Sequence, residues 1–168
     1  MPTKEIAGIP IFPFVSFILT IVAFVVDLIG FAAPYWYYVK ISGTSYYGGI
    51  WLNCQSSSET NCNTYVNTET WVEAAQGMEV LGFLCLLAAL VTVIVKLFVV
   101  KDKPVLKWVV VGCLVGGAVL ILIGVCLFAG KSVDVITENL HFAFAFAIIG
   151  AMLSIAAAVL LCLDKQST

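Results

Sequence analysis

Two cysteines in one polar segment, Cys54 and Cys62, are the residues of this chain best placed for covalent chemistry. In an oxidising compartment such a pair forms a disulfide, and closing so short a loop stabilises a fold by about 2.5 kcal/mol in the chain-entropy estimate. The alternative is a metal pair, but the single histidine, His141, lies far along the chain. We predict a disulfide between Cys54 and Cys62.

Two carboxyl groups, those of Asp27 and Glu79, lie within long apolar stretches. Placing an ionisable group within the bilayer costs free energy, so such a group indicates a function or a specific pairing. One interpretation is an acidic vestibule that attracts cations. Two alternatives stay open, in which each carboxyl is hydrogen-bonded within a helical bundle or is neutral there.

The remaining candidates for chemistry are few. Cys162 lies at the end of the last apolar stretch, where acylation and simple packing are alternatives. The sequence contains no Gly-rich phosphate loop, no metal-ligand cluster and no nucleophile paired with a base. We therefore expect neither an enzyme nor a cofactor, and no nucleic-acid partner.

Four long apolar stretches have to position these residues. The mean hydropathy is +1.08 and charged residues make up only 11% of the chain, which favours a membrane protein. Because about 20 helical residues cross a bilayer core, we predict transmembrane helices at 11–33, 74–100, 108–130 and 140–163. The first stretch has one alternative, a cleaved signal peptide, but it is long for one and its only basic flanking residue is Lys4.

Lysines predict the orientation, because basic residues are retained in the cytoplasm. Most of them flank the second connection or lie near the chain ends: Lys4, Lys96, Lys101, Lys103, Lys107 and Lys165. We therefore expect both chain termini, including 164–168, and the connection 101–107 in the cytoplasm, and 34–73 and 131–139 outside the cell. The outside connections have a net charge of −3, from Lys40, Lys131, Glu59, Glu69, Glu73, Asp134 and Glu138.

The long outer connection is expected to fold into a small β-structure. Its stretches YWYYVKI and GGIWLNC are rich in aromatic and β-branched residues, and SGTSYY between them contains turn formers, which predicts strand, turn and strand. SSSET between the cysteines predicts a polar loop. The connection 131–139 is short, so we expect no structure of its own there.

This connection resembles the corresponding segment of a known family. Five residues match in order the W, G-L-W, C, C signature of the claudin superfamily, which includes claudins, epithelial membrane proteins and the peripheral myelin protein: Trp36, Gly49, Trp51, Cys54 and Cys62. Ile50 replaces the usual leucine of the signature. WVEAAQGM, at 71–78, is also similar to the claudin stretch that leads into the second helix.

The resemblance implies an all-α four-helix transmembrane bundle, left-handed, with a small extracellular antiparallel β-sheet of about five strands. In this family pattern Gly49 permits a tight turn, Trp51 anchors the sheet at the outer membrane face, and the disulfide ties neighbouring strands. We expect Trp36 at the membrane interface too, because it directly follows the first span. The neighbouring aromatics are interpreted as ordinary interfacial residues: Tyr35, Tyr37 and Tyr38.

Three features depart from the family pattern. Claudins usually carry an arginine at the position of Gln76, and that arginine is part of the support between sheet and bundle. We therefore predict that this contact is absent here or is made by another group. The chain ends in DKQST rather than in a hydrophobic residue that PDZ domains read, so PDZ docking is not expected. Members of the epithelial membrane branch often carry an N-glycosylation sequon, and this outer connection has none.

Small residues predict how the helices pack, because lipid supplies no hydrophobic drive for helix association. The third stretch has Gly112 and Gly116, with Gly117 and Gly124 further on, and the fourth has a stripe of alanines: Ala143, Ala147 and Ala151. We expect packing within the molecule, with a dimer seam as the alternative.

The function predicted from these features is structural. The sheet is expected to mediate cell–cell adhesion, a junction or membrane organisation at the plasma membrane, and its acidic outer face to favour cations in a paracellular barrier or pore. The expected partners are the lipid bilayer, further copies in the same or the opposing membrane, and neighbouring membrane proteins. The alternative is an auxiliary subunit of an ion channel or receptor.

Overall fold

The computed structural model describes residues 5–6, 9–64, 69–100, 103–132 and 134–164. Three of the lysines used for the orientation and the C-terminal residues lie outside these ranges: Lys4, Lys101 and 165–168. The strands are β1 Glu5–Ile6, β2 Ile9–Pro10, β3 Tyr37–Ile41, β4 Thr44–Gly48, β5 Leu52–Ser56 and β6 Thr60–Thr64. The helices are α1 Ile11–Ala32, α2 Thr70–Ile94 with a π-helical extension Val95–Val99, α3 Pro104–Lys131, α4 Asp134–Thr137 and α5 Phe142–Leu163.

Four of these helices are long and apolar enough to cross a membrane: α1, α2 with its extension, α3 and α5. Their buried residues recur at alternating steps of three and four, for example Val72, Ala75, Glu79, Gly82 and Leu86 in α2. This is the repeat with which helices wrap around one another in a left-handed sense. The helices pack most closely as two pairs, α1 with α5 and α2 with α3, while α1 and α2 contact each other much less.

Glycines allow the helices of each pair to approach closely. A Cβ atom at Gly82 would lie 3.1 Å from the carbonyl oxygen of Gly117, and one at Gly117 would lie 3.1 Å from that of Gly82. The expected intramolecular packing is therefore correct for Gly117 but wrong for Gly112 and Gly116, whose Cβ positions have no neighbour within 4 Å. Those two glycines lie on the outward surface of α3.

The sheet has the order β3-β4-β5-β6, with all neighbours antiparallel. The predicted turn over SGTSYY is too long, because only Ser42 and Gly43 form it and Thr44–Gly48 is a strand. Gly43 has a φ of +87° there, a conformation that glycine adopts without strain. The resemblance implied about five strands, and the sheet contains four within the described residues.

The short connection after α3 adds to the sheet, contrary to expectation. It contains α4, and the amide of Tyr38 donates to the carbonyl oxygen of Asn139 at 3.1 Å. Tyr37 also forms an isolated β-bridge with Leu140. This connection therefore covers one edge of the sheet, along β3.

The end of the bundle opposite the sheet contains buried charged residues. Lys96 lies in the π-helical segment, Lys107 in the first turn of α3 and Asp164 directly after α5, and all three are buried. The Nζ of Lys107 donates a hydrogen bond to the backbone oxygen of Asp164. This contact ties the start of α3 to the end of α5.

Candidate functional site: the sheet and its attachment to the bundle

The disulfide predicted between Cys54 and Cys62 is confirmed. The two residues are direct partners across β5 and β6, with their Cα atoms 4.1 Å apart. Cys54 is buried, whereas Cys62 lies in a strand that is exposed along its whole length. The bond therefore holds the outermost strand on the sheet where little packing is available to do so.

Trp36 is buried inside the protein, so the expected position at the membrane interface is wrong. Its side chain is 0% exposed and its indole packs edge-on against Phe128 of α3 and Phe144 of α5, at centroid distances of 4.9 and 5.5 Å. Its indole N–H donates to the carbonyl oxygen of Gly30 in α1 at 2.8 Å. One side chain therefore joins three helices at the base of the sheet.

Trp51 attaches the sheet to the same end of α1. Its indole N–H donates to the carbonyl oxygen of Phe31 at 2.7 Å, and its ring packs edge-on against that of Phe31 at 5.0 Å. The last carbonyls of a helix have no partner within the helix. Two consecutive carbonyls of α1, those of Gly30 and Phe31, accept hydrogen bonds from the two signature tryptophans, which fixes the sheet to the helix end.

Gly49 is required because two chain segments approach closely. A Cβ atom at this position would lie 2.7 Å from the carbonyl oxygen of Ala33 and 3.1 Å from the Cα of Pro34. Its φ is in the ordinary range, so the constraint is space and not an unusual turn conformation. Gly49 also donates its amide to the carbonyl oxygen of Leu52 at 2.9 Å, which closes the bend between β4 and β5.

Gln76 remakes the tie for which claudins use an arginine. Its side-chain Nε2 donates to the backbone oxygen of Ile50 at 2.6 Å, across the junction between α2 and the sheet. Ile50 itself is 1% exposed, so its carbonyl has little access to water. The side-chain amide of Gln76 thus satisfies the buried backbone oxygen of Ile50, a residue of the signature.

The first prediction concerns this hydrogen bond. Gln76→Met keeps the length of the side chain but removes the donor, and leaving a buried carbonyl unsatisfied costs about 1–3 kcal/mol. We expect a lower thermal unfolding midpoint of the purified protein in detergent, followed by tryptophan fluorescence. Gln76→Arg retains a donor and should recover most of the loss, and Gln55→Met, at an exposed position, should have no effect. Equal midpoints for Gln76→Met and the wild type would contradict this role.

The tyrosines near Trp36 differ from one another. Tyr37 is buried and its hydroxyl donates to Oδ1 of Asn53 at 2.7 Å, so it is part of the sheet's packing and not an interfacial aromatic as expected. Tyr35 stacks on Tyr47 at 5.0 Å and on Phe142 at 5.5 Å. Neither the Tyr37 hydrogen bond nor the Tyr35 stack was predicted, although the aromatic residues Tyr46 and Tyr47, assigned to the predicted turn, indicate another strand.

The outermost strand, β6, is an open edge. All five of its residues are exposed, and within the described part of the chain its only strand neighbour is β5. Its sequence, TNCNT, has neither a charged residue nor a proline. Natural proteins commonly protect open edges with lysine, proline or a covering loop, and β3 at the other edge has such a loop.

Asp27 and Glu79 lie inside the bundle and are not open to solvent in the structure. Both side chains are buried, on α1 and α2 respectively. A vestibule would need an opening toward the sheet end, so it stays a prediction. Cys162 is exposed in the last turn of α5, where acylation also stays a prediction.

Among the described residues, no group of three or more histidine, cysteine or acidic side chains could hold a metal ion. The remaining cysteines of the membrane helices carry free thiols: Cys85, Cys113 and Cys126.

The comparison with protein families decides the identity of the fold. The model of the PMP-22/EMP/MP20/Claudin family matches residues 10–162, which is nearly the whole chain. The chain belongs to this family. The search of curated protein sequences found no match.

Membership in the PMP-22/EMP/MP20/Claudin family confirms the resemblance and the predicted fold class. The chain is a multi-pass membrane protein with four apolar helices, a small antiparallel sheet and one disulfide. Within this frame, the signature residues Trp36, Gly49, Ile50 and Trp51 all serve the attachment of the sheet to α1 and α2.

Proposed function

We propose that this family member is a plasma-membrane protein whose sheet lies outside the cell and mediates adhesion between cells or membranes. In this orientation both chain termini and the connection 101–107 are cytoplasmic, as the distribution of lysines favours. The disulfide supports the same orientation, because disulfides persist in oxidising compartments.

The observation that carries the proposal is the open edge of β6. An exposed, uncharged strand of five residues presents unpaired backbone groups to which another strand can be added. The disulfide keeps this strand in place in the absence of a partner. A second copy of the chain offers the same edge, so self-association between neighbouring or opposing membranes is the simplest use of it.

The proposed outer face is acidic, which would make the contact selective for cations. Lysines are outnumbered by acidic residues there, and Glu59 is exposed at the tip of the hairpin between β5 and β6. A row of such copies would attract cations and repel anions along the contact. A barrier or pore with a preference for cations is the form of adhesion that this charge favours.

The second prediction tests the edge. Asn61→Lys with Asn63→Lys adds two charges to β6, which should prevent strand addition while leaving the sheet folded. Cells that lack other adhesion proteins should aggregate when they express the wild type, and aggregation should fall to the level of untransfected cells with the double variant. Surface expression, measured by antibody labelling of an added tag, should be equal.

The matched control is Gln55→Lys, which adds a charge at an exposed position of the adjacent, internal strand. It should leave aggregation unchanged, because it lies opposite Asn61 but not on the edge. Normal aggregation by the double variant would exclude the edge as the contact. Loss of aggregation with Gln55→Lys as well would assign the contact to the face of the sheet.

A second candidate function, an auxiliary subunit of a channel or receptor, is favoured by the outward surface of α3. Gly112 and Gly116 are four residues apart, and a Cβ atom at either would meet no described atom of another element within 4 Å, so the helix of a larger partner can approach there. A groove of about 380 Å³ follows on the same helix, lined by Val119, Leu122, Ile123, Cys126 and Leu127. Co-purification of a larger channel subunit without any cell aggregation would favour this function over adhesion.

A further inference from the structure

The two acidic side chains inside the bundle have no polar partner. Asp27 is 0% and Glu79 1% exposed. All four of their carboxyl oxygens are buried without a hydrogen bond to any described residue. Buried polar groups in proteins are nearly always hydrogen-bonded, so two such carboxyls in one bundle require an explanation.

Each carboxyl is accommodated by a glycine on the helix packed against it. A Cβ atom at Gly150 of α5 would lie 3.0 Å from the Cβ of Asp27, and one at Gly124 of α3 would lie 2.8 Å from Oε1 of Glu79. Replacing either glycine by a residue with a Cβ atom would displace the acidic side chain packed against it. The helix pairs α1–α5 and α2–α3 are therefore each shaped around one carboxyl.

The two carboxyls lie on the two helices that form the looser interface of the bundle. Asp27 is on α1 and Glu79 is on α2, the helices that contact each other much less than either contacts its own partner. The Asp27 carboxyl is close enough to interact electrostatically with that of Glu79. Phe83 stacks on Phe24 and on Phe31, at 5.1 and 4.9 Å, and gives this interface an apolar surrounding.

Within the described helices, no positive charge compensates the pair. The buried face of α5 carries no charged or titratable side chain, and that of α3 has only Lys107, at the end opposite the sheet. The nearby hydroxyls donate elsewhere, Thr20 to Ser16 and Ser154 to Gly150. The thiol-bearing Cys85 of α2 packs toward Gly117 of α3.

Two ionised carboxylates in this apolar interior would repel each other and would lack stabilisation by water. The pair must therefore bind a positive charge. A hard metal ion such as Ca²⁺ needs about six to eight oxygen ligands. The described residues hold no third acidic, histidine or cysteine ligand at such a site. A proton needs only one carboxylate oxygen, with which it forms an O–H bond.

We propose that Asp27 and Glu79 form a proton-binding site at the interface between the two helix pairs. At neutral pH the pair holds protons taken from solvent and is uncharged, which allows α1 and α2 to stay in contact. Release of these protons puts like charges into the apolar interface, separates α1 from α2 and admits water. The acidic vestibule predicted from the sequence is the open, deprotonated form of this site.

This proposal rests on the bundle alone and goes beyond the proposed adhesion function. The third prediction tests it by infrared spectroscopy of the protein in lipid bilayers at neutral pH. The wild type should show the C=O stretching band of an undissociated carboxylic acid. The band should be absent in the D27N/E79Q double variant and unchanged in E59Q, where the replaced carboxyl is exposed.

Thermal unfolding supplies the second measurement. Because the folded state keeps protons that the unfolded state loses at about pH 4, stability should fall as the pH rises from there into the alkaline range, and D27N/E79Q should remove this dependence. Absence of the acid band in the wild type would overturn the proposal. A saturable rise of the unfolding midpoint with Na⁺ or Ca²⁺ at fixed pH, lost in D27N/E79Q, would also overturn it, in favour of a metal ion.

Discussion

Trp36→Ala is expected to lower the free energy of unfolding by about 3–5 kcal/mol, the range for removing a large buried aromatic side chain. The indole is fully buried between Phe128 and Phe144, so its loss leaves a cavity at the point where α1, α3 and α5 meet the sheet. It also removes the hydrogen bond to the carbonyl oxygen of Gly30. Unfolding in detergent, followed by size-exclusion chromatography after heating, measures the effect.

Trp108→Ala provides the matched control for this fourth prediction. Trp108 lies in the first turns of α3 and is 61% exposed, so the same change of residue should have little effect on stability. Trp36→Phe separates the two contributions, because it keeps an aromatic ring but loses the donor. A Trp36→Ala protein as stable as Trp108→Ala would show that the indole does not hold the sheet on the bundle.

Gly30→Ala is the fifth prediction, with an expected loss of about 1–3 kcal/mol, typical of overpacking in a well-packed interior. The new methyl group would lie 2.7 Å from the backbone nitrogen of Ala147 and 3.0 Å from the carbonyl oxygen of Ala143. Backbone atoms cannot move aside as a flexible side chain can. The helices α1 and α5 must therefore separate, and less folded protein should be recovered from the membrane.

Gly112→Ala is the control, since its Cβ position has no neighbour within 4 Å. The same methyl group should be neutral there or slightly stabilising, because alanine is the better helix former. Equal yields and equal unfolding midpoints for the two variants would mean that close packing of α1 on α5 does not limit stability.

Much of the fold is predictable because the relevant signals are local. A bilayer requires long apolar helices, and the sequence has four such stretches. The disulfide follows from the fact that only Cys54 and Cys62 lie in the polar connection. The strand β4 was missed because Ser42, Gly43 and Ser45 are typical of turns, while the pairing that makes this segment a strand comes from its neighbours on both sides.

Burial of single aromatics is harder to predict, because it is decided by tertiary contacts. Trp36 follows an apolar helix in the same way as an interfacial tryptophan does, and only Phe128 and Phe144 from distant helices enclose it. For the glycines of α3, the spacing in the sequence does predict which of them are buried. Gly117 and Gly124 are seven residues apart, in phase with the buried leucine and isoleucine of the helix, whereas Gly112 is out of phase.

The two tryptophan hydrogen bonds to the end of α1 determine how mechanical load passes through the molecule. Both donors, on Trp36 and Trp51, reach neighbouring carbonyls of one helix. A tensile force applied to the sheet is therefore transmitted first along α1 and its close partner α5. The pair α2–α3 takes up part of the same load, because Trp36 also packs on Phe128 of α3 and Gln76 of α2 is hydrogen-bonded to Ile50.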